Sequence, residues 1–344
     1  QKILYIFFIK STQMKLRTIK DFIAIHKILF SLALFLINLP IIGNIYDYFY
    51  FKRVRARVNA NNLRVIIEPN NICNLRCIVC PYQKMTRKKE TMPLDLFKKI
   101  VDQSIALGCK VIQLQQYNEP FTDKDIFKRI SYIRSKGAEV YFYSNGTILD
   151  KTIRDKILEH PPNLIRFSID GIEKKSYESI RVGANYEKVV SNVIKLFKER
   201  NKHGLREPII EVCSLLLDNT RDQGQKYLNF WRNKCDNASV YPSDSRLEVS
   251  YSYIKYKKMK PYPCFNPHNI VVLSNGKVCL CCVDYDGEVI FGDLNKQNLK
   301  DIINSKKVKE IYESHLKRKC NLEICKKCSR LYVDSAFYWW DNIF

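Results

Sequence analysis

The sequence predicts a mixed α/β fold built on a parallel sheet, followed by a smaller cysteine-rich region. Short β-branched runs alternate with helical patterns from residue 63 onward. Such alternation is typical of parallel strands joined by right-handed crossovers. Tightly spaced cysteines then recur between residues 264 and 328. An open sheet and a partial barrel both satisfy this order of elements.

Six strands are predicted in the first part of the chain, at 64–68, 111–115, 140–143, 164–169, 209–213 and 238–241. Helical patterns lie between them, near 93–107, 123–136, 150–159, 186–202 and 220–234. The first helix begins at Pro93, a residue favoured in a first turn, and the second ends at Gly137, which suits a C-terminal cap. A strand-like run at 270–273 and a turn at 274–276 follow, ahead of the cysteine-containing segment at 278–282.

Three parts of the chain are distinguished by composition. At 344 residues, the chain is long enough for one large domain and a smaller one. We predict an apolar, basic extension at 1–60, an α/β domain at 61–240, and a cysteine-rich domain with an aromatic tail at 241–344. Apolar residues make up 46% of the chain, which excludes wholesale disorder.

The chain is strongly basic, with 58 Lys and Arg against 35 Asp and Glu and a net charge of +23. This surplus favours an acidic partner, such as a nucleic acid, an anionic membrane or an acidic protein, or else serves solubility alone. We do not expect nucleic-acid binding, because the sequence lacks the signature of a nucleic-acid module.

The N-terminal extension contains an apolar stretch at 28–45 with basic residues on both sides. A spanning helix needs about 20 apolar residues, whereas Pro40, Gly43 and Asn44 interrupt this one. The stretch also lacks a convincing signal-peptide cleavage site. We favour an element that lies on a membrane surface. A helix packed on the α/β domain and a true span are the alternatives, and basic residues on both sides weaken the case for a span.

Three of the thirteen cysteines, Cys73, Cys77 and Cys80, form a C-x3-C-x2-C motif after the first predicted strand. Three thiolates can hold three corners of a four-iron, four-sulfur cluster and leave one iron without a protein ligand. An open coordination position is typical of a reactive site, whereas a structural site is closed. A zinc knuckle is the alternative, but the sequence places no histidine close to the motif.

Polar segments follow the next three strands, namely Asn118-Glu119-Pro120, Ser144 to Thr147, and Ser168 to Gly171. Parallel α/β folds bind ligands at the carboxyl ends of their strands. We therefore expect these segments to line one pocket together with the cysteine motif.

The cysteine motif and this series of loops, over residues 63–235, resemble the radical S-adenosylmethionine (SAM) superfamily. The resemblance implies a partial (β/α)6 TIM-like barrel. It also implies that SAM chelates the open iron of a [4Fe-4S] cluster held by Cys73, Cys77 and Cys80. In this family, reductive cleavage of SAM produces methionine and a 5′-deoxyadenosyl radical, which abstracts hydrogen from the substrate.

The same resemblance assigns roles to the polar segments. It implies that Glu119 accepts a hydrogen bond from the SAM amino group and that Arg181 contacts the SAM carboxylate. The ribose is expected beside four polar residues: Ser144, Asn145, Ser168 and Asp170.

The C-terminal cysteines resemble the SPASM or "twitch" extension of radical SAM peptide-modifying enzymes, with C-x11-G-x4-C ending at Cys281 and C-x4-C-x2-C at 320–328. Seven cysteines fall between 264 and 328, fewer than two full clusters need. We expect one auxiliary [4Fe-4S] cluster, with Cys279 and Cys320 as spare thiols. Cys282 in place of Cys281, and a structural zinc ribbon, are the alternatives. The four expected ligands are Cys264, Cys281, Cys325 and Cys328.

We therefore predict a radical SAM enzyme acting on a peptide, protein or small molecule and supplied with electrons by a ferredoxin- or flavodoxin-like protein. The thiol content indicates a reducing compartment, the cytoplasm, with contact to the cytoplasmic membrane face through the extension. A non-catalytic metal-binding module on nucleic acid or membrane is the alternative. A membrane-bound electron carrier is a third reading, but it leaves Glu119 without a role.

Overall fold

The structure is a computed structural model. It describes residues 63–217, 219–242, 264, 269–317 and 319–328, together with ten single positions between 28 and 48. Most of the predicted N-terminal extension and the aromatic tail at 337–340 lie outside the described residues.

Nine strands in the described part of the chain form one sheet. They are β1 (Arg64–Ile67), β2 (Val111–Leu114), β3 (Glu139–Ser144), β4 (Leu164–Ser168), β5 (Ile209–Leu216), β6 (Asn237–Pro242), β7 (Ile270–Val272), β8 (Lys277–Cys279) and β9 (Ile290–Asp293). Their order across the sheet is β6-β5-β4-β3-β2-β1-β7-β8-β9.

Strands β1 to β6 are parallel and adjacent in chain order, which confirms the predicted parallel α/β sheet. The second edge of β1 pairs with β7 rather than with β6. The six strands therefore do not close on one another, as expected for a partial barrel. Strands β7, β8 and β9 continue the sheet, the last two as antiparallel partners.

The described helices include the five that the sequence pattern predicts, together with four others. They are α1 (Leu94–Ala106), α2 (Ile126–Ser135), α3 (Lys151–Glu159), α4 (Lys174–Ile180), α5 (Tyr186–Lys202), α6 (Gly224–Trp231), α7 (Leu299–Asn304), α8 (Lys306–Leu316) and α9 (Glu323–Lys326). Side-chain caps fix two of the boundaries, because Asp150 accepts from the backbone N–H of Ile153 and Asn185 from that of Lys188. Hydrophobic periodicity did not predict α4, α7, α8 or α9, although the SPASM resemblance implied a short helix at 299–303, where α7 lies.

The two faces of the parallel strands differ in chemistry. Ile112, Val140 and Phe142 point to one face and are completely buried in the hydrophobic core. On the other face, Gln113, Tyr141 and Tyr143 are polar and half-buried, and Tyr141 donates a hydrogen bond to the Gln113 side chain at 2.7 Å. Parallel sheets are usually apolar on both faces. The polar inner face is therefore built to contact something other than packed hydrocarbon.

A buried ion pair links the first strand to the C-terminal strands. The carboxylate of Glu68, at the end of β1, accepts two hydrogen bonds from Arg87 at 2.8 Å and one from the backbone N–H of Ser274 at 2.9 Å. Arg87 also donates to the backbone oxygen of Tyr285 at 2.7 Å. The segment that follows the cysteine motif is thereby fastened to the C-terminal region.

The apolar stretch near the N-terminus is exposed where the structure describes it. Nine positions between 28 and 48 are helical and carry exposed apolar side chains: Ile28, Leu29, Leu32, Phe35, Leu36, Ile41, Ile42, Ile45 and Tyr48. Within the described part of the chain, no helix has the length and apolar content to cross a bilayer.

One ion pair behind the sheet allows a test of the fold. Arg129 on α2 donates to Asp123 at 2.7 Å, and both side chains are almost completely buried. We expect Arg129→Met to lower the free energy of unfolding by about 3 to 5 kcal/mol, because it leaves a buried carboxylate unpaired. Urea unfolding measures this loss.

Lys128→Met is the matched control, because the Lys128 side chain is 70% exposed in its ion pair with Asp125. The control should change the free energy of unfolding by about 0.5 kcal/mol or less. Equal losses in the two variants would contradict the structural role of the buried pair.

Candidate functional site

The three cysteines of the motif lie in the loop after β1, and backbone hydrogen bonds hold that loop. The N–H of Cys73 donates to the hydroxyl of Tyr82 at 2.9 Å. The N–H of Ile78 donates to the backbone oxygen of Ile180 at 2.9 Å, so the end of α4 supports the loop. Cys77 is buried, while Cys73 and Cys80 are half-buried. The loop is therefore fixed in shape with two of its thiols partly accessible.

The thiols are close enough to interact electrostatically. The pKa of Cys73 is raised to about 12, mainly by burial, with smaller contributions from the charges of Glu119, Cys77 and Cys80 and an opposing hydrogen bond with the backbone of Leu75. A buried group of three thiols is unfavourable as thiolates unless a cation offsets their charge. Thiolate ligation of iron supplies that offset and releases the protons. The donor set fits a three-cysteine iron–sulfur cluster.

Glu119 lies after β2 and is 1% exposed. Its carboxylate accepts hydrogen bonds from the Ser144 hydroxyl at 2.9 Å, the Asn145 backbone N–H at 2.7 Å and the Phe121 backbone N–H at 3.3 Å. Burial raises the pKa of Glu119 to about 7, while these donors and Arg181 oppose the rise. Glu119 can therefore change its protonation state near neutral pH.

The loop after β3 joins Glu119 to the cysteine loop. The amide of Asn145 donates to the side-chain oxygen of Asn74 at 2.9 Å, and Asn74 donates back to the Thr147 hydroxyl at 2.8 Å. Asn74 directly follows the first cysteine of the motif. The structure thus brings together Glu119, Ser144 and Asn145 at the edge where the sequence analysis expected a pocket.

Arg181 and Asp170 form a buried pair beside the cysteine loop. Arg181 Nε donates to Asp170 Oδ2 at 2.6 Å, and Arg181 Nη1 lies 3.8 Å from Cys77 Sγ. Burial opposes the charge of Arg181, but Asp170 and Cys77 raise the pKa of the guanidinium well above its ordinary value. A permanent positive charge therefore lies next to the motif. The sequence analysis did not foresee this pairing.

Ser168 lies outside this hydrogen-bonded group. It ends β4, and its hydroxyl is 4.0 Å from the Cys213 sulfur on the neighbouring strand. Ser168 therefore lies on the same strand edge as Asp170, but the structure does not connect it to Glu119.

The cysteines of the C-terminal region form a second group. Burial raises the pKa of Cys281, and the charges of Cys282, Cys264 and Cys328 raise it further. Burial likewise raises the pKa of Cys325, and Cys320, Cys264 and Cys328 add to it. Cys264 and Cys328 thus interact with both Cys281 and Cys325. Cys281, Cys325 and Cys328 share one buried cluster, with Cys282 and Cys320 packed against it, so the four expected ligands lie in a group that also contains these two thiols.

Two further side chains lie beside this second group. His315 Nε2 is 3.6 Å from Cys325 Sγ, and the ligand atoms of His315, Cys320 and Cys325 all lie within 4.8 Å of one another. Burial lowers the pKa of His315 to about 4. Cys320 was predicted to be a spare thiol, and His315 was assigned no role. The spacing H-x4-C-x4-C-x2-C, which ends at Cys328, was the available signal.

The loop after β2 contacts the C-terminal cysteine region directly. Gln116, between β2 and Glu119, donates to the backbone oxygen of Cys282 at 3.1 Å. Tyr117 packs edge-on against Tyr285 with ring centroids 5.8 Å apart. The loop that carries Glu119 therefore also contacts the C-terminal cysteine region.

Comparison with known families supports both groups. Residues 67–211 match the radical SAM superfamily. Residues 264–329 match SPASM, an iron–sulfur cluster-binding domain.

Among curated relatives, Fe-coproporphyrin III synthase of Methanosarcina barkeri is 22% identical over 260 residues. The match spans 63% of this chain and 65% of that relative, slightly less than two thirds of its length.

Two solved structures share the fold. Streptococcus suis SuiB bound to its precursor peptide SuiA has 14% identity and a TM-score of 0.62, covering 82% of this chain and 74% of SuiB. The protein anSMEcpe with bound AdoMet has 16% identity and a TM-score of 0.59, covering 81% of this chain and 96% of anSMEcpe.

The raised pKa of Glu119 predicts a pH dependence for the metal-free, reduced protein. In the unfolded chain the carboxyl ionises around 4.5, whereas in the folded chain it keeps its proton to about pH 7. The folded state therefore binds more protons across this window, and stability falls as pH rises through it. In the parent protein, Glu119 should lower the free energy of unfolding by up to about 1.4 kcal/mol per pH unit across this window. Glu119→Gln should remove this contribution.

Urea unfolding at several values between pH 4.5 and 7 measures the slope. Glu139→Gln, at an exposed position on β3, is the matched control and should follow the parent protein. If the parent and Glu119→Gln lost stability with pH at the same rate, Glu119 would have the same pKa in the folded and the unfolded chain, and the prediction would be wrong.

Proposed function

We infer that this chain is a radical SAM enzyme that uses SAM and iron–sulfur clusters, because residues 67–211 match the radical SAM superfamily and residues 264–329 match SPASM. We propose that Cys73, Cys77 and Cys80 hold the SAM-binding [4Fe-4S] cluster and that Glu119 binds the SAM amino group. The observation that carries this proposal is the buried Glu119 carboxylate, which is hydrogen-bonded to a loop that itself contacts the cysteine loop.

When bound, the reduced cluster supplies the electron that splits SAM into methionine and a 5′-deoxyadenosyl radical, which removes hydrogen from the substrate. The protein's part is to position and shield the reactants. Ser144 and Asn145 already donate to Glu119, which aims its carboxylate. A SAM ammonium group stabilises the ionised carboxylate, so SAM binding displaces the Glu119 proton near pH 7.

Arg181 and Asp170 complete the proposed SAM site. Arg181 holds a positive charge 3.8 Å from the Cys77 sulfur. We assign Arg181 to the SAM carboxylate, with Asp170 orienting the guanidinium through its 2.6 Å hydrogen bond. We assign Ser168, at the end of β4, and the Ser144–Asn145 segment to the ribose.

The second cysteine group is assigned to one auxiliary [4Fe-4S] cluster held by Cys264, Cys281, Cys325 and Cys328. We divide the chain into a radical SAM partial barrel at 61–240 and an auxiliary-cluster domain at 241–344. The shared interactions of Cys264 and Cys328 with the other two thiols support a single cluster.

The substrate is proposed to be a peptide, a protein side chain or a polar small molecule bound against the inner face of the sheet. The half-buried polar side chains there support this, since Arg166 donates to Tyr143 at 2.6 Å and to Glu211 at 2.7 Å. The related fold of SuiB, bound to a precursor peptide, adds support for a peptide. A ferredoxin- or flavodoxin-like reductant, acidic and attracted by the net charge of +23, is the proposed electron donor.

We also propose that the N-terminal extension lies on an anionic membrane surface. Ile28, Phe35 and Ile41 are 82%, 61% and 75% exposed at helical positions. Basic residues flank the stretch at 15–27 and 52–57. Exposed apolar side chains with basic flanks match the interface of an anionic bilayer.

Two cysteine variants test the assignment of the two clusters. Reconstituted under anaerobic conditions, the parent should hold about eight irons per chain, given four irons per cluster. Cys77→Ala should keep about four irons and form no 5′-deoxyadenosine from SAM and dithionite, because the SAM-binding cluster is lost. Cys325→Ala should lose the auxiliary iron alone.

Iron analysis and chromatography of 5′-deoxyadenosine measure these outcomes. Cys235→Ala changes a buried cysteine in the hydrophobic core and is the control. It should retain both clusters and the cleavage of SAM. Full cleavage by Cys77→Ala would refute the assignment of the SAM-binding cluster. Tightly held zinc without any cleavage would favour a non-catalytic metal-binding module.

Vesicle flotation tests the membrane proposal. The full chain should bind vesicles containing phosphatidylglycerol. Phe35→Asp should weaken this binding about tenfold or more, because a charge replaces a ring that enters the bilayer surface on binding. Leu205→Asp is the control, since Leu205 is exposed outside the extension. Equal binding by Phe35→Asp, or self-association through the extension without vesicle binding, would contradict the proposal.

A further inference from the structure

We propose that His315 sets the reduction potential of the auxiliary cluster by donating a hydrogen bond from Nε2–H to the sulfur of Cys325. His315 is thus a positioning and tuning residue, not a ligand. This inference rests on the auxiliary cluster proposed above.

The imidazole is held rigidly against the sulfur. His315 lies in the last turn of α8 and is 2% exposed, and its Nε2 is 3.6 Å from Cys325 Sγ. The N–H of Lys319 donates to the backbone oxygen of Ser314 at 2.8 Å. This bond ties the residue before Cys320 to the last turn of the helix. A buried, anchored side chain keeps this contact in place without paying the entropy of ordering it on cluster binding.

The other ring nitrogen distinguishes a donor from a ligand. A metal-bound histidine almost always donates its second N–H to a carboxylate, carbonyl or water, which fixes the tautomer. Among the residues that the structure describes, His315 Nδ1 has no hydrogen-bond partner. The described residues therefore provide no carboxylate or carbonyl that would orient the ring as a ligand. The tautomer with hydrogen on Nε2 places its donor on the sulfur and leaves only a lone pair on Nδ1.

Cys325 is the thiol on which this contact acts. It is buried, and Cys320 lies beside it as well, within the 4.8 Å group that contains His315. A hydrogen bond to a cluster sulfur withdraws negative charge and stabilises the reduced form, which raises the potential. Through Cys325, His315 makes the auxiliary cluster a better electron acceptor.

The test measures the potential of the auxiliary cluster alone. In the full chain carrying Cys77→Ala, which removes the SAM-binding cluster, His315→Leu should shift the auxiliary potential to a more negative value in an EPR-monitored redox titration. His315→Gln keeps an N–H donor and should restore part of the shift. His203→Leu, at an exposed histidine, is the matched control and should leave the potential unchanged.

The outcomes separate this inference from the proposed function. Four irons in the auxiliary site with an unchanged potential in His315→Leu would overturn the inference and leave the proposed function standing. A strong nitrogen hyperfine coupling at the auxiliary cluster, with loss of iron in both His315→Leu and His315→Gln, would identify His315 as a ligand instead. Absence of auxiliary iron in the parent and in the Cys77→Ala chain would overturn both the inference and the auxiliary cluster.

Discussion

The three thiols of one loop are a donor set that would leave a [4Fe-4S] cluster one protein ligand short, and polar groups from the neighbouring loops lie around them. Cys73, Cys77 and Cys80 follow the first strand of the parallel sheet. The carboxylate of Glu119 and the guanidinium of Arg181 lie at the same edge and are both buried. A carboxylate binds an ammonium group and a guanidinium binds a carboxylate, and an amino acid carries both of these groups. The proposed open position on the cluster, Glu119 and Arg181 would therefore all suit the amino-acid part of SAM.

The interactions that hold this arrangement are mostly hydrogen bonds between loops. Asn74 and Asn145 join the cysteine loop to the loop after β3, and Glu119 joins the latter to the loop after β2. Each loop follows a strand, so the sheet fixes where the loop begins. The pair of Glu68 and Arg87 links the end of β1 to the C-terminal region, because Glu68 also accepts from the N–H of Ser274. The three loops and the C-terminal region are therefore tied together by side-chain hydrogen bonds.

The sequence predicted the parts of this structure that depend on local pattern. Six strands and five helices follow from hydrophobic periodicity and caps, and α5 matches its predicted bounds. Local pattern could not predict contacts between distant segments. The pairing of β7 with β1, the approach of Arg181 to Cys77 and the position of His315 beside Cys325 each join residues from different elements. The role of Arg181 was inferred from a family resemblance, whereas its pairing with Asp170 needed the fold.

The central claim is that SAM binds directly to an iron that the protein leaves open. The most direct measurement is electron–nuclear double resonance on oxygen-free, reduced protein supplied with SAM labelled with ¹⁵N in its amino group and ¹⁷O in its carboxylate. Direct chelation predicts strong hyperfine coupling of both labels to the cluster held by Cys73, Cys77 and Cys80. A cluster that forms and is reduced but shows no coupling to either label would contradict the account.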